Sequence, residues 1–154
     1  MKSILFVCMG NICRSPTGEG VLLAMLAERG LESKLMVDSA GTIGYHAGNR
    51  ADQRMRATAE KRGYDLQSRA RQITRTDLET FDLVIAMDRD NLQDIRSLHA
   101  SPAAAIKLLS DFLDDSWPQD VPDPYYGGAR GFEYVLEMIE AACPSIIEEL
   151  LEAE

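Results

Sequence analysis

Four short apolar runs, Ser3–Cys8, Lys34–Asp38, Leu83–Met87 and Ile106–Leu109, punctuate a chain otherwise rich in charged and small residues. Each run is continuous rather than alternating, and each is flanked by polar or small residues. That is the pattern of strands buried on both faces of a parallel sheet. Helical patterns lie between them. Ser15-Pro16 predicts a helix start, with Ser15 as N-cap and Pro16 at the first helical position, and Gly30 predicts its stop. Within that helix Gly18 and Gly20 each cost about 1 kcal/mol against Ala unless packing requires them. Arg50–Arg62 predicts a charged helix ended by Gly63, and Arg89–Leu98 continues the third strand into another. The last helical stretch, from about Phe132 to Leu151, places Phe132, Val135, Leu136, Ile139 and Ala142 on one face. Pro144 falls inside it and predicts a kink or a break near Cys143.

Strands alternating with helices along the whole length predict a single doubly wound α/β domain over residues 1–154. No repeat, low-complexity tract or linker divides it. The longest segment without periodicity, Asp114–Gly128, is rich in Pro, Asp and Gly, and a loop of that length in a compact domain is often functional.

Composition narrows the function more than the fold. The chain has 154 residues, 27% charged and 45% hydrophobic, with a formal net charge of -9. Such an acidic surface repels nucleic acid and anionic lipid, so neither is expected as a partner. No run is long enough to span a bilayer, and Ile4–Val7 is too brief for a signal-peptide core, so a cytoplasmic protein is expected. Its three cysteines would then be reduced, and an odd number, with Cys8 and Cys13 close together, argues against a disulfide framework. His46 and His99 form no metal-ligand spacing with the cysteines, and no metal or other cofactor is expected.

The chemistry-bearing segment is Cys8-Met9-Gly10-Asn11-Ile12-Cys13-Arg14-Ser15, which joins the first strand directly to the helix start. The carboxyl end of a strand in an open α/β sheet is where ligands bind. A tight loop into a helix N-terminus aims backbone N–H groups and partial positive charge at one point, which suits a phosphate. Arg14 can clamp two phosphate oxygens. The same positive field favours a Cys8 thiolate, a nucleophile, and Ser15 can donate a hydroxyl hydrogen to that sulfur. Gly10 and Asn11 tolerate the left-handed backbone such a loop needs. A second piece is Pro122-Asp123-Pro124-Tyr125-Tyr126 in the long loop. Asp123 is either the carboxylic acid that protonates a leaving oxygen or a plain Pro-Asp turn, and the two tyrosines could form an aromatic wall.

Together the two segments resemble the low-molecular-weight protein tyrosine phosphatases, with Asp38-Ser39-Ala40-Gly41-Thr42, Ala70-Arg71-Gln72-Ile73 and Met87-Asp88 as further landmarks. The resemblance covers essentially the whole chain and implies a four-stranded parallel sheet flanked by helices, without a metal. It implies Cys8 as nucleophile, Arg14 as phosphate clamp and Asp123 as general acid, then as the base that activates the hydrolytic water. Asn11, Ser15 and Ser39 would hold the loop in shape. Ile12, Tyr45 and Tyr126 would line a slot for an aromatic ring, with Tyr125 at its mouth. The implied partner is a phosphotyrosine protein, and resemblance to bacterial members raises a tyrosine kinase as that protein. The sequence departs from the family pattern at Ser68, where many relatives carry histidine, and at Tyr45, where tryptophan is frequent.

Several readings stay open. Cys13 either captures an oxidised Cys8 as a reversible disulfide or packs beneath the loop. Cys143 reads as core, His46 beside Tyr45 as a surface residue or a substrate contact, and Asp88 as a brace at the rim or a helix N-cap. A thioredoxin-coupled arsenate reductase needs further cysteines just after the third strand, and Asp82–Arg96 has none. A phosphoarginine phosphatase is disfavoured by Ile12 and the Tyr125-Tyr126 pair. A catalytically silent phosphotyrosine-binding module is disfavoured by the presence of both Cys8 and Asp123.

Overall fold

Ile4, Leu5, Phe6 and Val7 are all fully buried in strand β1, Lys2–Cys8. Only a strand covered on both faces can bury four consecutive side chains, so helices must lie on either side. The computed structural model describes residues 1–126 and 128–152, without the side chains of Tyr126, Ala129 and Glu152. After β1 come α1 (Arg14–Glu28), β2 (Leu35–Gly41), α2 (Gln53–Glu60), α3 (Arg75–Thr80), β3 (Leu83–Ala86), α4 (Arg89–Leu98), β4 (Ala105–Leu108) and α5 (Ala129–Ile147). The four strands form one sheet in the order β2-β1-β3-β4, every pair parallel. This is the doubly wound α/β sheet that the apolar runs predict.

The alternation along β1 splits the core in two. Ile4, Phe6 and Cys8 pack with Leu22 and Leu26 of α1, Met55 of α2, and Phe132, Val135, Leu136 and Ile139 of α5. Leu5 and Val7 pack on the opposite face with Leu78 of α3, Val84 and Ala86 of β3, and Ile95 of α4. The order of strands reverses at β1, which pairs with β2 on one side and β3 on the other. The carboxyl end of β1 is therefore the topological switch point, where a crevice opens in such sheets.

Several predicted boundaries move, each for a local reason. The first helix starts at Arg14 with Cys13 at its cap, not at Ser15, whose hydroxyl is engaged inside the preceding loop instead. Pro16 is still in the first turn, where its missing N–H costs nothing. The helix ends at Glu28, and Gly30 just past its cap takes the left-handed region at φ 67°, with Leu31 N–H reaching back to the Leu26 carbonyl. The second helix starts at Gln53, because Asp52 caps it through the N–H groups of Arg54 and Met55, while Arg50 pairs instead with Arg69 in an isolated antiparallel bridge. Helix α3, which the hydrophobic pattern does not reveal, is started by a capping box between Thr74 and Asp77. The final helix shows no break at Cys143. α5 runs through Pro144 to Ile147, and a π-helical turn, Glu148–Glu152, closes it.

The two glycines of α1 are set by packing. A Cβ on Gly18 would stand 2.7 Å from Cδ1 of Phe6, and one on Gly20 would stand 2.4 Å from Cδ2 of Leu66. Phe6 of β1 is fully buried in the core between the sheet, α1 and α5 and has nowhere to retreat. Gly18→Ala is therefore expected to destabilise the fold by about 1–3 kcal/mol, although Ala is the better helix former. Urea unfolding followed by circular dichroism measures it, and a gain in stability would show that the contact yields.

Candidate active site

The backbone of β1 carries its ladder past the strand end. Thr42 N–H donates to the Cys8 carbonyl at 2.9 Å and Ile43 N–H to the Met9 carbonyl at 3.1 Å. Gly41 permits this approach, since a Cβ there would lie 2.7 Å from the Met9 carbonyl oxygen. Asn11 then turns the chain through φ 57°, the one positive φ among described residues other than glycine. Its N–H points inward and donates to Cys8 Sγ at 3.3 Å. Ser15 Oγ lies 3.0 Å from the same sulfur.

Asn11 pins the loop with its whole amide. Its Oδ1 accepts from Arg71 N–H at 2.9 Å, and its Nδ2 donates to Ser15 Oγ at 2.8 Å and to Ser39 Oγ at 3.0 Å. Asn11, Ser15 and Ser39 are all nearly fully buried. Leaving any of these polar atoms unpaired would cost about 1–3 kcal/mol, which makes the loop rigid before a ligand arrives.

Arg14 is held from behind. Its Nη1 donates to Asp88 Oδ2 at 2.6 Å and to the Val121 carbonyl at 3.1 Å, while Nη2 stands 3.7 Å from Asp123 Oδ2. Burial opposes its charge, but Cys8, Asp88 and Asp123 together push its pKa above the ordinary arginine value. Asp88 fills both predicted roles at once, because its other oxygen accepts from Asn91 N–H at 2.7 Å and caps α4.

Asp123 sits on the long loop, its Oδ1 accepting from Tyr125 N–H at 3.0 Å. Two ties hold this loop over the sheet. Val121 N–H donates to the Met87 carbonyl at 2.9 Å, and Asp120 takes Arg89 at both carboxylate oxygens. A cavity of about 330 Å³ opens between the two loops. Cys8, Met9, Gly10, Ile12, Cys13, Arg14, Tyr45, Asp123 and Tyr125 all line it, so residues far apart in sequence meet there. The Tyr126 side chain, assigned to the slot from the sequence, lies outside the described residues.

One lining residue escapes a sequence reading, Ile43, and His46, which the sequence leaves between surface residue and substrate contact, is in the lining. The His46 ring stands edge-on to Tyr45 at 4.8 Å and tilted to Tyr125 at 6.5 Å, so it joins the two aromatic walls. Beside the cavity, Arg54 holds Tyr125, with its guanidinium 5.3 Å from the Tyr125 ring centroid and Nη2 donating to the Tyr125 carbonyl at 3.3 Å. Only the tertiary fold brings these groups together.

Cys13 is buried, and burial, with Asp52 and Cys8 adding to it, pushes its thiol pKa far up, so it stays protonated at neutral pH. Cys143 is buried among the α5 core residues, as its position predicts. His99 ends α4 with its Nε2 3.1 Å from Glu79, a partner the sequence does not suggest. Among the described residues no three His, Cys, Asp or Glu side chains converge as a metal-holding group, and no helix is long and apolar enough to cross a membrane.

A family model described as low molecular weight phosphotyrosine protein phosphatase matches residues 3–154. A low molecular weight protein-tyrosine-phosphatase of Streptomyces coelicolor is 43% identical, over 94% of this chain and 90% of its own length. The crystal structure of YfkJ from Bacillus subtilis superposes with a TM-score of 0.93 at 39% identity, covering 100% of this chain and 97% of that one. An arginine phosphatase of Drosophila superposes with a TM-score of 0.91 at 30% identity over 100% of both chains.

Proposed function

From the chain's membership in the low molecular weight phosphotyrosine protein phosphatase family, we propose that it hydrolyses phosphotyrosine in proteins through a cysteinyl-phosphate on Cys8. The observation that carries the proposal is the placement of the Cys8 sulfur. It receives the Asn11 N–H, faces the Ser15 hydroxyl, and shares one cavity with Arg14 and Asp123.

In the first step the Cys8 thiolate attacks phosphorus and the bond to the tyrosine oxygen breaks, with Asp123 giving that oxygen its proton. Arg14 and the loop N–H groups hold the charge that builds on the phosphoryl oxygens. In the second step water attacks phosphorus, Asp123 takes the water's proton, and the sulfur leaves as thiolate, accepting the Ser15 hydrogen bond. Inorganic phosphate is the product. Both proton transfers run through one carboxyl group, so the enzyme returns to its starting state.

Ile12, Tyr45 and Tyr125 support an aromatic over a guanidinium leaving group, because they offer flat apolar surface rather than carboxylates to a ring entering the cavity. Among the described residues Asp123 is the one carboxylate lining it. Of the two readings of Cys13, its burial and raised thiol pKa favour packing beneath the loop, and the reversible disulfide requires that thiol to give up its proton before it displaces water from a peroxide-formed Cys8 sulfenic acid.

Acid-quenched reactions with an aryl phosphate, run in the presence of a metal chelator, test the mechanism. They are expected to leave one phosphate per chain on the peptide that contains Cys8. Turnover without that phosphopeptide would place the reaction elsewhere. Faster hydrolysis of a phosphoarginine peptide than of its phosphotyrosine counterpart would overturn the substrate class.

A further inference from the structure

Glu19 projects from the second turn of α1, half-buried, and takes part in none of the steps above. Its Oε1 accepts the Ser39 hydroxyl hydrogen at 2.6 Å. Ser68 also hydrogen-bonds its carboxyl group. Ser68 is the residue standing where the family pattern has histidine.

The direction of every bond between Glu19 and the nucleophile follows from counting hydrogens. Asn11 Oδ1 faces the Arg71 N–H, so the end of the amide that faces the two serines is nitrogen, which can only donate. Ser39 therefore accepts from Asn11 and has one hydrogen left, which goes to Glu19. Ser15 likewise accepts from Asn11, and its one hydrogen is left for the Cys8 sulfur at 3.0 Å, with the Ala40 carbonyl a more distant rival at 3.4 Å.

We propose that Glu19 is a positioning residue for the Cys8 sulfur: by taking the Ser39 hydrogen it keeps Ser39 an acceptor for Asn11, and so leaves Ser15 a donor to Cys8. The proposal rests on Cys8 being the nucleophile. Without an acceptor at Glu19, the Ser39 hydroxyl is free to turn its hydrogen toward Asn11, where two donors would meet. Asn11 would then lose its grip on Ser15, and the thiolate would lose its hydrogen bond.

The charges that face Glu19 come from two sides. Burial pushes its carboxyl pKa up and Asp38 of β2 adds to this, while the Ser39 and Ser68 hydrogen bonds and Arg71 pull it down. Arg71 is itself shared between Asp38 at 3.0 Å and Asp77 at 2.9 Å. The net shift is upward. A carboxyl whose folded pKa is raised contributes stability below its unfolded pKa and loses it as pH rises through the folded value. Glu19→Gln, which keeps an acceptor oxygen without the charge, should therefore remain folded at neutral pH.

The decisive readout is the pH dependence of Cys8 alkylation by iodoacetamide, followed by mass spectrometry at the Cys8 peptide, with kcat on an aryl phosphate measured alongside. In Glu19→Ala the midpoint of Cys8 alkylation is expected to rise by about one pH unit. Its kcat is expected to fall about ten-fold while KM stays within about two-fold, and Glu19→Gln should restore both. In a Ser39→Ala background the change at Glu19 should have no further effect, because the link is already cut. An unchanged midpoint in Glu19→Ala, a Gln variant as impaired as Ala, or full additivity with Ser39→Ala would each overturn the proposal. If Glu19→Ala does not fold, Ser39→Ala alone must raise the midpoint, and no rise overturns it. If no protein, wild type included, hydrolyses aryl phosphate, the phosphatase mechanism fails, and the alkylation midpoints still decide the role of Glu19.

Discussion

Cys8→Ser is expected to lower kcat by at least about 10⁴-fold, the scale seen when a covalent nucleophile is removed. The substitution is close to isosteric, so the Asn11 N–H and the Ser15 hydroxyl that now address the sulfur would still address an oxygen. What changes is the nucleophile. A hydroxyl must first lose its proton, and Asp123, which has to be protonated to serve the leaving oxygen in that step, cannot take it, whereas a thiolate has no proton to lose. The phosphate cradle, made by Arg14 and the loop backbone, stays in place. Binding of inorganic phosphate, measured by titration calorimetry, should therefore stay within a few-fold of wild type. Loss of binding together with activity would mean that the loop had collapsed and that Cys8 is structural. Full activity in the variant would remove Cys8 from the reaction.

Asp123→Asn should cost about 10²–10⁴-fold in kcat on phenyl phosphate, the usual range for removing a positioned general acid. Asparagine keeps an oxygen for the Tyr125 N–H, and the loop retains its ties at Val121 and Asp120, so the geometry should survive. The loss should depend on the leaving group. A nitrophenolate leaves without help, a phenolate does not, so the deficit must shrink as the leaving phenol becomes more acidic. Wild type should be nearly flat across the same series. An equal deficit for every leaving group would mean that Asp123 acts on binding or on Arg14, whose Nη2 is 3.7 Å away, and not by donating a proton.

The features legible in the sequence are those fixed by short-range pattern. β1 and β3 are continuous apolar runs, and the loop after β1 keeps its chemistry within eight residues, so both strand and nest could be read directly. Ser15 shows the limit of that reading. Its Ser-Pro signature does mark a helix start, but the cap falls two residues earlier because the hydroxyl is drawn into the nest. Helix α3 escaped because six residues carry too little periodicity, although Thr74 and Asp77 stand at capping-box spacing. At Pro144 the core contacts of α5 override the local signal. The residues that only the fold reveals, Glu19, Ile43 and Arg54, act across elements. Ser68 departs from the family pattern in the sequence, and in the structure it shares the Glu19 carboxylate with Ser39.

On the mechanism proposed above, the position of β1 in the sheet also sets when the nucleophile can first exist. β1 is made first but is flanked by β2 and by β3, whose last residue is Ala86. During synthesis at about 5–20 residues per second, the ribosome needs about 4–16 s after making Cys8 before β3 is complete. Until then the Arg14 clamp has no Asp88 behind it and the sulfur has no closed nest. A nascent chain therefore carries Cys8 as an ordinary, weakly reactive thiol. On that mechanism its reactivity is acquired only when the centre of the sheet closes.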